Sequence, residues 1–298
     1  MILVILMYAL FASTFTLGKA ALAYVSPFLF IGIRMILGGS LLLGYYRLVK
    51  KQKIVIYPAD YSLFACIVLF HIFFAYTLEF WALEYVTSGK ACLLYNLSPF
   101  ITAIFSYFLF TERLSSRQMC GLIIGFLGFI PILVAQTPLE KIGLHVSFLS
   151  IYEIALIASV ASSAYGWMMV KHLINRKYPL LLINGISMTG GGILALLLSL
   201  ATEGFLGLKA TSSEQLIMLG GYCMALVIIA NIIGYNLYGY LLTRYSATFL
   251  SFAGFMTPLF AALLGWLFLG EQVTWHFFAT ISMVILGLYL FYERKSAL

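Results

Sequence analysis

Ser98-Pro99-Phe100 opens an apolar run that closes on Thr111-Glu112-Arg113-Leu114, and Thr257-Pro258-Leu259 opens a second that closes on Gly270-Glu271-Gln272-Val273. In each run a proline stands thirteen residues before a lone glutamate, and a glycine, Gly128 or Gly287, follows that glutamate by sixteen. Ala103 and Ala262 keep the same register, so every match falls at an offset of 159 residues. One such coincidence is cheap; four at one offset, inside similar apolar patterns, are the mark of a duplication.

The earlier part of each half repeats as well, at an offset of 152 residues: Lys19 and Pro27 return as Lys171 and Pro179, Ala9 and Ala12 as Ala161 and Ala164, and Gly38-Gly39 as Gly190-Gly191. The seven-residue difference between the offsets places extra length in the second half near 201–213. The halves are read as 1–137 and 147–298.

Composition gives the medium in which these halves fold. Of 298 residues, 63% are hydrophobic and 9% charged, where a soluble domain is about half apolar and a quarter charged. The expected class is an all-α membrane protein. A spanning helix needs about 20 predominantly apolar residues. The candidate spans are 2–22, 27–47, 62–83, 88–110, 118–136, 148–171, 180–201, 215–241, 246–269 and 275–292. These ten transmembrane helices form two five-helix repeats. An odd number of spans per repeat turns the second copy upside down relative to the first. Continuous rather than alternating apolar runs exclude a barrel.

The basic residues agree with an inverted pair. With the N-terminus in the cytoplasm, the second connection faces inward and carries Arg47, Lys50, Lys51 and Lys53, while its outward-facing counterpart carries Glu203, Lys209 and Glu214. The sixth connection, facing in, carries Lys171, Arg176 and Lys177, and its counterpart near Tyr24 to Pro27 has no basic residue beyond Lys19. Equivalent loops thus exchange their positive charge, as the positive-inside rule requires, and both termini are expected in the cytoplasm. The net charge of +7 is accounted for by this topology and implies no nucleic-acid partner. Cys66, Cys92, Cys120 and Cys223 are scattered in or beside apolar spans, which indicates neither a metal site nor a disulfide framework. No basic segment precedes the apolar start at Met1, which argues against a cleaved leader.

Inverted repeats are characteristic of secondary transporters, in which two similar halves exchange conformations around a midplane site. The chain also resembles a known family. Lys19 with Ser26-Pro27, the Arg34 that follows, Trp81-Ala82-Leu83-Glu84-Tyr85-Val86, Leu97-Ser98-Pro99 through Thr111-Glu112-Arg113-Leu114, and Gly121 resemble the drug/metabolite transporter superfamily, in the branch built from two EamA repeats. The second repeat keeps Pro258 and Gly270-Glu271 but has Ile186 in place of Arg34. The resemblance implies a bacterial inner-membrane transporter of a small-molecule metabolite, working by alternating access, with the lipid bilayer as its medium and no cofactor. Branches of the superfamily move amino acids, sugars, nucleotide sugars, drugs and S-adenosylmethionine. The whole chain leans toward S-adenosylmethionine/S-adenosylhomocysteine exchange or uptake. Amino-acid or drug export and lipid or polyprenol flipping stand as alternatives, and a homodimer is compatible.

Ionisable groups inside a span usually face a cavity or a partner. In the third span His71 and Glu79 are eight residues apart and share a helix face, with Tyr76 near it. The competing reading of His71 is a packing histidine, and that of Glu79 an ion pair near the membrane surface. In the eighth span Asn231, Tyr235 and Tyr238 follow helical spacing and offer amide hydrogen bonds and ring surface. Tyr95 and Asn96 precede Pro99, and Thr257 precedes Pro258, where each proline frees backbone groups. With Trp167 of the sixth span, these residues are the expected substrate-binding set. Arg34 reads as a contact for an anionic group such as a substrate carboxylate or as snorkelling toward the outer surface, with snorkelling or a structural pair the favoured reading. Lys19 and Lys90 lie near the outer face, and Glu112 and Glu271 are expected to share a structural task. Glu153 reads as an interfacial carboxylate, and Gly121, Gly125 and Gly190 to Gly192 as close helix contacts. An enzyme is disfavoured: the single aspartate, Asp60, sits in a loop, and Gly185-Ile-Ser187-Met-Thr-Gly190 misses a nucleophile elbow by one residue.

Overall fold

A computed structural model describes residues 1–86, 91, 94–128, 151–203, 207–260 and 275–291. The described residues are helical, with one isolated bridge between Val25 and Leu208 and no strand. In chain order they form α1 (Ile2–Ala21), α2 (Pro27–Val49), α3 (Pro58–Tyr85), α4 (Ser98–Phe110) and α5 (Ser116–Leu127), then α6 (Ile151–Asn175), α7 (Leu180–Thr202), α8 (Ser213–Leu242), α9 (Ala247–Phe260) and α10 (Trp275–Phe291). Six of them, α1, α2, α3, α6, α7 and α8, are long and apolar enough to cross a membrane, and α4, α9 and the 281–291 part of α10 are shorter apolar helices. The chain is a multi-pass membrane protein. Large parts of the expected fourth, fifth and ninth spans lie outside the described residues, as does Glu271.

Helix starts follow local chemistry. Pro27 and Pro99 occupy first-turn positions, where the missing N–H costs nothing, and Pro179 caps α7 from an extended conformation. Ser115 and Gln118 form a reciprocal capping box on α5: Gln118 N donates to Ser115 Oγ at 3.2 Å and Ser115 N to Gln118 Oε1 at 2.9 Å. Ser212 and Ser246 cap α8 and α9 in the same way, accepting from Gln215 N and Phe249 N.

Two antiparallel seams hold the halves together. In the first, residue numbers descend on α7 as they ascend on α2: Gly32 lies against Leu196, and Gly39 against Thr189 and Gly185. A Cβ on Gly192 would stand 2.9 Å from Ile36 N and 3.0 Å from Gly32 O, so only glycine permits this backbone approach. In the second, α5 lies on α10, where a Cβ on Gly121 would stand 2.6 Å from Gly287 O. Of the two glycines in the 159-residue register, Gly287 packs on Gly121 across this seam, while Gly128 lies against Met283.

Each end of the α2–α7 pair carries an acidic clasp. At one end Glu203 accepts hydrogen bonds from Ser26 Oγ at 2.6 Å, Ser199 Oγ at 2.6 Å, Phe28 N at 3.1 Å and Leu29 N at 3.2 Å, closing the exposed N–H groups of α2. At the other end Asp60 accepts from Tyr178 OH at 2.7 Å and pairs with Arg176, just ahead of α7. The carboxylate in each clasp comes from the opposite half.

α3 and α8 share a departure from regular geometry. Residues Ile67–Phe73 and Val227–Gly234 form π-helical stretches in the middle of otherwise α-helical elements. A π turn holds an extra residue and so rotates everything beyond it relative to a regular helix.

Candidate functional site

A cavity opens among α1, α2, α3, α4, α6, α8 and α9. Eight of the ten expected residues line it: Tyr76, Glu79, Tyr95, Asn96, Trp167, Tyr235, Tyr238 and Thr257. His71 and Asn231 do not. His71 is 0% exposed, with its ring 4.3 Å from that of Trp167 and 5.0 Å from that of Tyr235, behind the wall those rings form. Asn231 is turned toward sulfur, with Nδ2 2.9 Å from Met35 Sδ and 3.6 Å from Met188 Sδ. The reason is the same for both. Each lies inside a π-helical stretch, whereas the expected shared faces assumed 3.6 residues per turn. Tyr76 and Glu79, and Tyr235 and Tyr238, lie beyond those stretches and reach the cavity.

One wall is ionisable and hydrogen-bonded. Glu79 Oε2 accepts from Tyr95 OH at 2.6 Å; Tyr95 OH lies 3.2 Å from Ser159 Oγ, and Ser159 Oγ donates to Ala75 O at 2.7 Å. The carboxylate is thereby oriented by Tyr95, just ahead of α4, and through it by Ser159 of α6, and among the described residues it does not form the surface ion pair considered above. Asn96 is buried, and its Nδ2 has no partner.

The opposite wall is aromatic. The Trp167 ring lies 4.1 Å from that of Tyr238 at 32° and 5.1 Å from that of Tyr235 at 39°. Tyr235 OH donates to Tyr76 OH at 2.7 Å, which ties the two walls together. Polar groups line the α4–α9 side, where Ser98 Oγ lies 2.7 Å and Thr102 Oγ1 3.2 Å from Ser251 Oγ.

Arg34 is held inside the protein rather than at its surface. It does not snorkel: it is 2% exposed and lines the cavity. Its guanidinium carbon lies 4.9 Å from the Tyr76 ring centroid, 5.3 Å from Phe80 and 5.8 Å from Phe30. Among the described residues, Nε and Nη2 have no hydrogen-bond partner. A lone Arg in mid-helix costs about 2.5–3.5 kcal/mol on insertion scales, and a desolvated cation–π contact returns about 2 kcal/mol. The signal that could have found it is the absence of any carboxylate on its own helix, which leaves only a partner on another element or a ligand.

Several other ionisable groups among the described residues have structural partners. Lys19 Nζ donates to Val86 O at 3.0 Å and Leu83 O at 3.5 Å, closing the end of α3. Glu112 pairs with Lys171 at 2.9 Å, a junction between α4 and α6, and Glu84 with Lys209 at 3.1 Å. Lys90 lies outside the described residues.

The EamA-like transporter family model matches residues 1–134 and 150–293. The chain is 31% identical over 288 residues to the S-adenosylmethionine/S-adenosylhomocysteine transporter of Chlamydia trachomatis serovar L2, covering 96% of this chain and 86% of the relative. It is equally similar, at 31%, to the protein of the same description in Chlamydia muridarum, with 96% and 89% covered. An uncharacterized transporter of Bacillus subtilis is 25% identical over 94% of this chain and 87% of its own. Among solved structures, one crystal structure superposes with a TM-score of 0.75 at 16% identity, covering 97% of this chain and 94% of that one.

Proposed function

The chain belongs to the EamA-like transporter family, and on that premise we propose that this membrane metabolite transporter carries S-adenosylmethionine inward in exchange for S-adenosylhomocysteine. The observation that carries this reading is a single buried cavity with a carboxylate, Glu79, on one side and an aromatic stack, Trp167 with Tyr235 and Tyr238, on the other. S-adenosylmethionine has the matching halves: a cationic sulfonium and ammonium at one end and a flat base at the other. The rings accept the base by stacking and the sulfonium by cation–π attraction, and Glu79 holds the positive charge. The two chlamydial relatives support the same substrate pair.

In this reading the two halves are inverted five-helix repeats making ten spans, with both termini in the cytoplasm of a bacterium and the chain in its inner membrane. Alternating access exchanges the conformations of the halves around the cavity. In this reading Pro258, which lines the cavity, and the turn ahead of α4 that Pro99 follows are the flexing points.

The test is uptake of labelled S-adenosylmethionine by bacterial cells expressing the chain, beside a labelled amino-acid panel. Saturable uptake is expected, competed by S-adenosylhomocysteine, and lowered about 100-fold in Glu79→Gln at equal membrane abundance, the effect of removing one charge from a buried charged contact. Movement of an amino acid with none of the nucleoside compound would overturn the substrate and leave a transporter of the same fold. Movement of neither would turn attention to drug efflux or lipid flipping.

A further inference from the structure

Arg34 and Glu79 stand in one cavity with opposite formal charges, and no ion pair joins them among the described residues. Both are buried. Glu79 already has a donor in Tyr95, whereas two of the three guanidinium nitrogens of Arg34 have none. The rings of Phe30, Tyr76 and Phe80 pack around the guanidinium carbon, and among the described residues Nε and Nη2 are left without an acceptor. Those N–H groups are therefore preorganised donors awaiting an acceptor. A guanidinium fork matches a carboxylate, which it binds with two parallel hydrogen bonds.

The helices place the two charges at similar depth. Arg34 follows Pro27, the first residue of α2, by seven positions, and Glu79 precedes Tyr85, the last residue of α3, by six. At 1.5 Å rise per residue these are about 10 Å and 9 Å from the helix ends. The ends in question adjoin one another, since Lys19, at the close of α1, binds the end of α3 while Ser26, a few residues on, opens α2.

We infer that Arg34 is the carboxylate subsite of this cavity and, with Glu79 as the ammonium subsite, makes it selective for ligands that carry an α-amino-carboxylate head. The inference rests on the reading of this cavity as the transport site, and it specifies which end of the substrate each charge takes. The head lies between α2 and α3, and the base lies toward Trp167. Both S-adenosylmethionine and S-adenosylhomocysteine carry this head, so either can occupy the site during exchange. Nucleosides lacking the head are excluded, because they would leave the guanidinium buried and unpaired.

The experiment compares two competitors that differ only in the carboxylate, beside a third that lacks the whole amino-carboxylate head. Uptake of labelled S-adenosylmethionine is measured against S-adenosylmethionine itself, its decarboxylated form, and 5′-methylthioadenosine. In the wild type the carboxylate-bearing compound is expected to compete about 100-fold better than the decarboxylated one, the scale on which a site built to bond a polar group rejects an analogue without it. In Arg34→Gln that ratio is expected to fall toward one, through loss of the carboxylate-bearing ligand alone. Arg34→Lys, which keeps the charge and loses the fork, is expected to give an intermediate ratio, and it serves as the readout if Arg34→Gln does not reach the membrane. Equal competition by the two compounds in the wild type would overturn the inference, as would a ratio unchanged in both variants. If the wild type moves an amino acid instead, the same ratio is read between that amino acid and its decarboxylated amine. The substrate reading would then have failed while the Arg34 assignment stood or fell on its own.

Discussion

The two halves of this protein meet across the cavity at equivalent positions but with different chemistry. The offset of 159 residues carries Tyr76 onto Tyr235 and Glu79 onto Tyr238, and the offset of 152 carries Arg34 onto Ile186. Tyr76 and Tyr235 bond to each other, as two copies of one position near a symmetry axis would. The first half therefore brings both charges to the cavity, and the second answers Glu79 with the Tyr238 ring and places no counterpart of Arg34 there, since Ile186 does not line the cavity. Even the π-helical stretches are shared, one in α3 and one in α8. In the proposed cycle, what is alike serves halves that trade conformations, and what differs gives the site a direction, so that a ligand charged at one end and aromatic at the other fits one way round.

The largest expected break of this comparison is at its charged pole. Glu79→Gln should lower transport about 100-fold, whereas Tyr238→Phe, at the equivalent position, keeps the ring and should cost less than about 10-fold; uptake normalised to membrane abundance separates them. Equal losses would show that the site lacks the asymmetry described. At the aromatic pole, Trp167→Ala should weaken adenine-bearing competitors by about 10- to 100-fold, on the basis of about 1–3 kcal/mol per stacked base, and should hardly change competition by a free amino acid. A uniform loss would make Trp167 a packing residue.

The two end clasps sharpen the comparison on a smaller scale. Glu203 binds backbone N–H groups of α2 directly, while Asp60 binds side chains ahead of α7. Glu203→Gln removes the negative charge from a helix N-terminus and should cost about 0.5–2 kcal/mol, read as a lower Tm in detergent. The smallest effect belongs to the shared hydroxyl bond. Tyr76→Phe and Tyr235→Phe remove the same interaction, so each should cost about 0.6 kcal/mol and the double variant little more than either; thermal unfolding of all three closes the cycle.

Eight of the ten residues expected from the sequence line one cavity, and Tyr76 and Tyr235 among them recur at the 159-residue offset. Tyr95 and Asn96 were legible from the proline that follows them, and Trp167 from its polar neighbours in a long span. Glu79 was legible as a carboxylate deep in a helix, but its partner, Tyr95, was not assigned to it. His71 and Asn231 were placed on the wrong side because a π turn leaves no pattern in the residues that form it. The sequence leaves Arg34 between readings because a long basic side chain a few turns into a span can reach the surface or stay beneath it, and only the packing of Tyr76 and Phe80 decides.

Apolar length, repeated prolines and glycines, and the sidedness of lysine and arginine are properties of short segments. They determined the helical membrane class, the family resemblance and the starts of helices such as Pro27 and Pro99 from the sequence alone. Which polar groups share one cavity depends on contacts between residues far apart in the chain, such as Tyr76 with Tyr235, and on the rotation that a π turn imposes on everything beyond it. Those relations exist only once α2, α3, α6 and α8 are packed, and so the placement of Arg34 opposite an aromatic wall was decided by the tertiary structure.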